Sequence, residues 1–179
     1  MLLWLLPAVA GADTYPRQTG IDAVHYTFRL NLTDASDEIA GEATITIKFV
    51  VDGVPEVTLD LASVTAGKGM TVQTVRRGGP MNIPGPASDA LIFTHTNHRL
   101  RVVLPPQVAR TGQEFTFTVR YRGIPAAGLG IGDNLHGERS FFANNWPNQI
   151  RQWLPMIDHP SDKATGEFIV TAPNHYQVV

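Results

Sequence analysis

From residue 23 onward the chain alternates between apolar and polar positions. In AVHYTFRLNL, residues Val24, Tyr26, Phe28, Leu30 and Leu32 fall on one face, and His25, Thr27, Arg29 and Asn31 on the other. In EIAGEATITIKFVV the same period places Ile39, Ala43, Ile45, Ile47, Phe49 and Val51 opposite Glu42, Thr44, Thr46 and Lys48. The polar, turn-rich link TDASDE joins the two runs. Period two with one apolar face predicts a β-hairpin, antiparallel, with its second face wet. Shorter runs follow at 56–61, 70–75, 90–94, 100–104 and 114–121, each bounded by Gly, Pro, Asn or Asp. No segment carries a sustained helical period with caps. The expected fold is all-β with few or no helices, either two packed antiparallel sheets or one large curled sheet.

Three stretches break the pattern. RRGGPMNIPGPASD (76–89) is too rich in Gly and Pro for a strand and predicts a surface loop. Residues 123–150 are long, Gly-rich and studded with aromatics, and predict a loop that is functional or packed on something else. HYQVV (175–179) alternates again, with no turn after it, so a fragment of a longer chain is expected. No internal repeat or linker divides the rest, which reads as one domain over 13–179.

Composition narrows the function classes. The chain has 179 residues, is 43% hydrophobic and 17% charged, and carries a formal charge of −2. A chain of this size buries roughly 70% of its extended surface and needs no metal or disulfide staple. Arg76-Arg77 is an isolated basic pair, so nucleic acid is not expected as a partner. There is no cysteine, which excludes disulfides, thiolate catalysis and Cys-bound zinc. The opening MLLWLLPAVAGA is apolar but too short to span a bilayer. It is similar to the core of a secretory signal, with small residues at 8–12 for cleavage, so residues 1–12 are expected to be a signal remnant and the protein exported.

Candidate chemistry is sparse. His95 and His98 form an H-x-x-H pair, but three-residue spacing in a strand sends the side chains to opposite faces, and the pair falls at a turn. The chain has no H-E-x-x-H, no G-x-S-x-G and no G-x-x-x-x-G-K-[ST]. GLGIGD (128–133) lacks the helix that a phosphate loop needs and predicts a flexible or tight-turning loop. Asp158-His159 invites an acid–base reading, yet neighbours in a Pro-flanked turn rarely face one another. A structural corner fits better: Pro155 and Pro160 stiffen it, Trp153 and Leu154 anchor it, and Arg151, Asp158 and Lys163 are candidates for charge pairing.

The stretch RQWLPMIDHPSDKATGEFIVTAP resembles the A-R-x-W/F-F-P-C-x-D-x-P-x-x-K-A-x-F-x-I/V run of the aminopeptidase N family of zinc metallopeptidases, a gluzincin family. The matching residues are Arg151, Trp153, Pro155, Asp158, Pro160, Lys163 and Ala164, with Phe168 and Val170 each two residues beyond the run's F-x-I/V. HYTFRLNL and IAGEATITIKF resemble the family's opening hairpin, and the variant with NWP and IDHPSDKAT is similar to a bacterial branch. The resemblance implies a large saddle-shaped antiparallel β domain, the N-terminal domain of a metallo-aminopeptidase. It implies that zinc and the catalytic residues belong to a thermolysin-like catalytic domain absent from this chain. The fragment would then form one wall of the cleft and be inactive alone, with a peptide as the substrate of the whole. In the family a Gln or Glu five residues before the motif's Arg helps bind the substrate α-amino group. That position is Trp146 here, with Asn144 two residues earlier. Tryptophan offers an ammonium only a cation–π face, whereas Asn144 or Asn145 offers a carbonyl oxygen. The candidate substrate-binding residues are therefore Asn144, Asn145 and Trp146; no catalytic or metal-ligating residue is expected. Packing of Phe141, Phe142 and Trp146 against the catalytic domain is an equal alternative. Rival functions are a stand-alone β-sandwich module for adhesion or carbohydrate binding, and a non-catalytic scaffold.

Overall fold

The structure is a computed structural model that describes residues 17–81 and 89–179. The apolar run at 1–12 and the Pro-rich centre of the 76–89 loop lie outside the described residues. Among the described residues ten strands follow in chain order. They are β1 (Ile21–Asn31), β2 (Ile39–Phe49), β3 (Glu56–Asp60), β4 (Gly69–Arg77) and β5 (Phe93–Thr96). Then come β6 (Arg99–Val103), β7 (Glu114–Ile124), β8 (Leu129–Asp133), β9 (Arg139–Ala143) and β10 (Thr165–Thr171). A 3-10 turn at Ile150–Gln152 is the helical element on the approach to β10. The fold is all-β, as the alternation predicts.

A five-stranded sheet runs β10-β1-β2-β7-β4, and a three-stranded sheet runs β3-β6-β5. Inward residues of both belong to one hydrophobic cluster: Ile45 and Ile47 of β2, Phe117 and Val119 of β7, Val57 and Leu59 of β3, Leu100 and Val102 of β6. Each of these side chains is fully buried. The opposite face of the large sheet carries threonine ladders, Thr44 to Thr118 and Thr46 to Thr116, both at 3.0 Å. It is not wholly wet, because the chain at Gly78–Gly79 folds over it and accepts the Thr118 hydroxyl.

The hairpin β1–β2 forms as expected, with one change of phase. A register shift between Ala23 and His25 inserts Val24 as an extra residue. Parity flips there: Ile21 and Ala23 point inward before the bulge, and Tyr26, Phe28 and Leu30 after it. Val24 is accordingly half-buried rather than a core residue. The shift between Val72 and Thr74 does the same in β4, placing Met70 and Val75 in the core across the bulge. Val51, expected inward, lies beyond the strand and is exposed.

Four further expectations change. The edge strand β10 pairs with β1 in parallel, Phe28 opposite Phe168, so the large sheet is mixed. Residues 123–150 are not a plain loop: β8 and β9 pair as a hairpin, Leu129 opposite Ala143 and Asp133 opposite Arg139. GLGIGD is thus a strand, whose glycines leave the apolar positions Leu129 and Ile131 to pack on the core cluster. Arg76 and Arg77 extend β4 instead of opening the loop. Residues 175–179 form no strand; a turn closes with Tyr176 N–H donating to Pro173.

Gly41 shows how closely the core is packed. A Cβ there would lie 2.3 Å from Cζ of Tyr121, whose ring covers the glycine from the neighbouring strand.

Candidate functional site

The corner at 151–160 locks the two sheets together. Asp60 at the end of β3 exchanges backbone hydrogen bonds with Met156, at 2.7 and 3.2 Å, and Ala62 N–H donates to the Arg151 carbonyl at 2.9 Å. From the large sheet the Tyr26 hydroxyl accepts Ile157 N–H at 3.1 Å. Trp153 and Leu154 fill the core between them. Burial drives the Tyr26 phenol far above its ordinary value, so it is a neutral structural group.

Charges close the corner. Arg151 Nε donates to Asp158 Oδ2 at 2.6 Å, and a terminal guanidinium nitrogen donates to the Asp158 carbonyl at 2.8 Å. Asp158 N–H in turn donates to Asp60 Oδ2 at 3.0 Å, while Arg99 meets Asp60 Oδ1 at 2.5 Å. Burial raises the Asp60 carboxyl above its ordinary range, and the Asp158 amide and Arg99 offset part of that rise. Asp158 and His159 are turned to different partners: Nδ1 of His159 accepts Ser161 N–H at 3.1 Å and faces its hydroxyl at 2.7 Å. The adjacent pair is a structural corner, as expected, but Lys163 is exposed and stands outside the ion-pair network.

The histidine pair also braces structure. Asn97 and His98 both have positive φ, 51° and 59°, and form the two-residue turn between β5 and β6. His95 lies in β5 itself, and its Nε2 meets the Leu61 carbonyl at 3.0 Å. His98 Nδ1 accepts Ser63 N–H, and Ser63 Oγ accepts His98 N–H, each at 3.1 Å. Burial lowers the His95 pKa, which keeps that ring neutral. Among the described residues no three His, Cys, Asp or Glu side chains are grouped to hold a metal ion. Among the described residues, therefore, the donors do not fit a catalytic zinc.

The three residues proposed for substrate contact follow β9, and the structure separates them. The alternation of β9 runs on beyond Ala143. Phe142 and Asn144 line a cleft of about 360 Å³ that also touches Lys68 and Gln149. Phe141, Ala143 and Asn145 line a groove of about 1190 Å³ on the other side, bounded by Trp153, Phe168 and Tyr176. Asn144 is exposed and anchored by its N–H to the Gly128 carbonyl at 2.8 Å. Asn145 is half-buried, its Oδ1 accepting the Trp153 indole N–H at 2.9 Å. Trp146 is 82% exposed and Phe142 70%, so these rings point to solvent. Phe141 instead packs edge-on against Tyr176, with centroids 5.3 Å apart. Counting along the sequence named the trio but missed this division, although the alternation in SFFANN carries the signal. It also missed Asp60 and Arg99, whose roles arise only from long-range pairing.

The sequence profile of the peptidase M1 N-terminal domain matches residues 22–179. An M1 zinc metallopeptidase from Deinococcus radiodurans superimposes with a TM-score of 0.66 at 26% identity, covering 88% of this chain and 33% of that one. A mutant form of that peptidase bound to a Tyr-Ser-Ala substrate gives a TM-score of 0.65 at 25% identity, with 87% and 33% coverage. Native leukotriene A4 hydrolase from Saccharomyces cerevisiae shares the fold, with a TM-score of 0.65 at 18% identity, covering 86% of this chain and 24% of its own. The chain thus spans about a third or less of the length of the structures it matches. No curated protein matches the sequence. Among the described residues no helix is long and apolar enough to cross a membrane.

Proposed function

Since the chain belongs to the peptidase M1 N-terminal domain family, we propose that it is the N-terminal β domain of a longer zinc aminopeptidase. In that enzyme the domain forms one wall of the substrate cleft, and the peptide's free amino end meets the segment Asn144–Trp146. The zinc and the hydrolytic groups belong to a catalytic domain elsewhere in the polypeptide, so this chain alone cleaves nothing. The export of the protein belongs to the same proposal and rests on the apolar run at 1–12.

The observation that carries the substrate role is the placement of 144–146. These residues leave β9 with two side chains in solvent, immediately ahead of a corner pinned to both sheets. A solvent-facing segment on a rigid support is the arrangement that binding sites favour. An α-ammonium needs a hydrogen-bond acceptor or a π face, and Asn144 and Trp146 supply one of each.

The test uses the complete polypeptide. Asn144→Ala combined with Trp146→Ala should raise KM for peptides with a free amino end by roughly 10-fold, the effect of about 1.4 kcal/mol of lost uniform binding. Unchanged preference for free over acetylated N-termini would remove the role. The coding sequence downstream should also contain G-x-M-E-N and H-E-x-x-H. Without them, the stand-alone binding module replaces the peptidase.

A further inference from the structure

Trp153 does more than fill the core. Its indole lies against Gly128, where a Cβ would come within 2.9 Å of both Cδ1 and Nε1. Gly128 has φ +82°, a left-handed conformation that glycine adopts without strain. The indole nitrogen can only donate a hydrogen bond, and it donates to Oδ1 of Asn145 at 2.9 Å. Only the carbonyl end of an amide can accept that bond, so the contact itself fixes which way the Asn145 side chain is turned. Its oxygen faces Trp153 and its NH₂ faces away. Two backbone bonds flank this contact, Asn144 N–H to Gly128 and Gln149 N–H to Asn145, at 2.8 and 3.0 Å.

An ammonium carries only donors and cannot be bound by an NH₂ group. We infer that Trp153 is a positioning residue for the amine-binding segment. By holding Asn145 on the groove side it leaves Asn144, on the cleft side, as the acceptor for the substrate's α-amino group, and gives Asn145 a structural part instead. This assignment rests on the proposed substrate role of 144–146, and it reduces three candidates to two.

Amide hydrogen exchange in this chain tests the positioning by itself. Trp153→Phe keeps an aromatic ring but loses the donor, and should speed exchange at Asn144 and Gln149 by roughly 3- to 10-fold, the factor of one net hydrogen bond. Asn145→Leu, at a half-buried site that tolerates it better, should do the same. Asn145→Asp retains an acceptor and should keep wild-type protection. In the Asn145→Leu background Trp153→Phe should add little. Unchanged exchange in both single variants, or Asn145→Asp behaving like Asn145→Leu, overturns the inference. In the complete polypeptide Trp153→Phe should raise KM for free-amine peptides while kcat stays put. Altered exchange with unaltered KM would leave the positioning intact and refute the substrate role of the segment.

Discussion

Replacing Arg151 with methionine asks whether the corner is held by its ion pair. The guanidinium gives Asp158 two hydrogen bonds, at 2.6 and 2.8 Å, and each side chain is only 14% exposed. Charge-assisted bonds contribute about 1.5–3 kcal/mol each, and breaking a buried pair from one side costs about 3–5 kcal/mol because a charge is stranded. Here the residual exposure lets water reach Asp158, and methionine retains much of the aliphatic packing. Asp60 adds little to the loss, since Arg99 stays against it at 2.5 Å. The expected cost is therefore about 2–4 kcal/mol, below the fully buried limit. With a urea m-value of about 2 kcal/mol/M, that moves the unfolding midpoint down by about 1–2 M. Intrinsic tryptophan fluorescence follows the transition, because Trp153 is buried in the same corner. A double-mutant cycle with Asp158→Asn should give a coupling of about 1 kcal/mol or more. A midpoint shift under about 0.3 M, or no coupling, would mean that backbone bonds and Trp153 hold the corner without the charges.

Other perturbations probe the core and the pH response. The Tyr121 hydroxyl is buried and lacks a hydrogen-bond partner among the described residues, so Tyr121→Phe should raise stability by about 1 kcal/mol in urea unfolding. A loss of stability would reveal that the hydroxyl is satisfied. Gly41→Ala forces a Cβ to 2.3 Å from Cζ of Tyr121 and should cost more than about 2 kcal/mol, with a smaller cost in a Tyr121→Leu background. For Asp60 the sign runs against the usual carboxylate. Burial raises its folded pKa, so its contribution is complete below the unfolded value of about 3.9 and is lost as pH rises through the higher folded value. The stability of the wild type relative to Asp60→Asn should fall as pH rises through the acid range above about 3.9. A difference that grows across that window contradicts the direction of the shift.

The long strands were legible because their two faces see different solvents. Ile39, Ala43, Ile45, Ile47 and Phe49 all lie inward as their spacing predicts. What escaped was phase. One inserted residue at Val24 reverses the facing of everything before it, and the insertion is defined by the partner strand rather than by local composition. β8 escaped because glycine weakens strand propensity, while its pairing with β9 is a property of both strands together. The parallel pairing of β10 escaped because alternation says nothing about direction. For the proposed substrate contacts, counting named the residues, but their division between two cavities required the strand assignment of β9.

Asp60 shows why a perturbed carboxylate is an incomplete guide to chemistry. It is buried, its pKa is raised, and with His159 and Asp162 it lines a small pocket of about 190 Å³. Such a description also fits a catalytic acid. Yet both oxygens are engaged, Oδ1 by Arg99 and Oδ2 by the Asp158 amide, and the residue's own backbone is paired with Met156. A general acid must change partners as its proton moves; a group that ties β3 to the corner by side chain and backbone together cannot do so without loosening the fold. The same bonds bear on where the proposed substrate contacts lie. Because Asp60, Arg151 and Tyr26 fix residues 151–157 between two sheets, it is the segment before them that turns side chains outward, Asn144 and Trp146 among them.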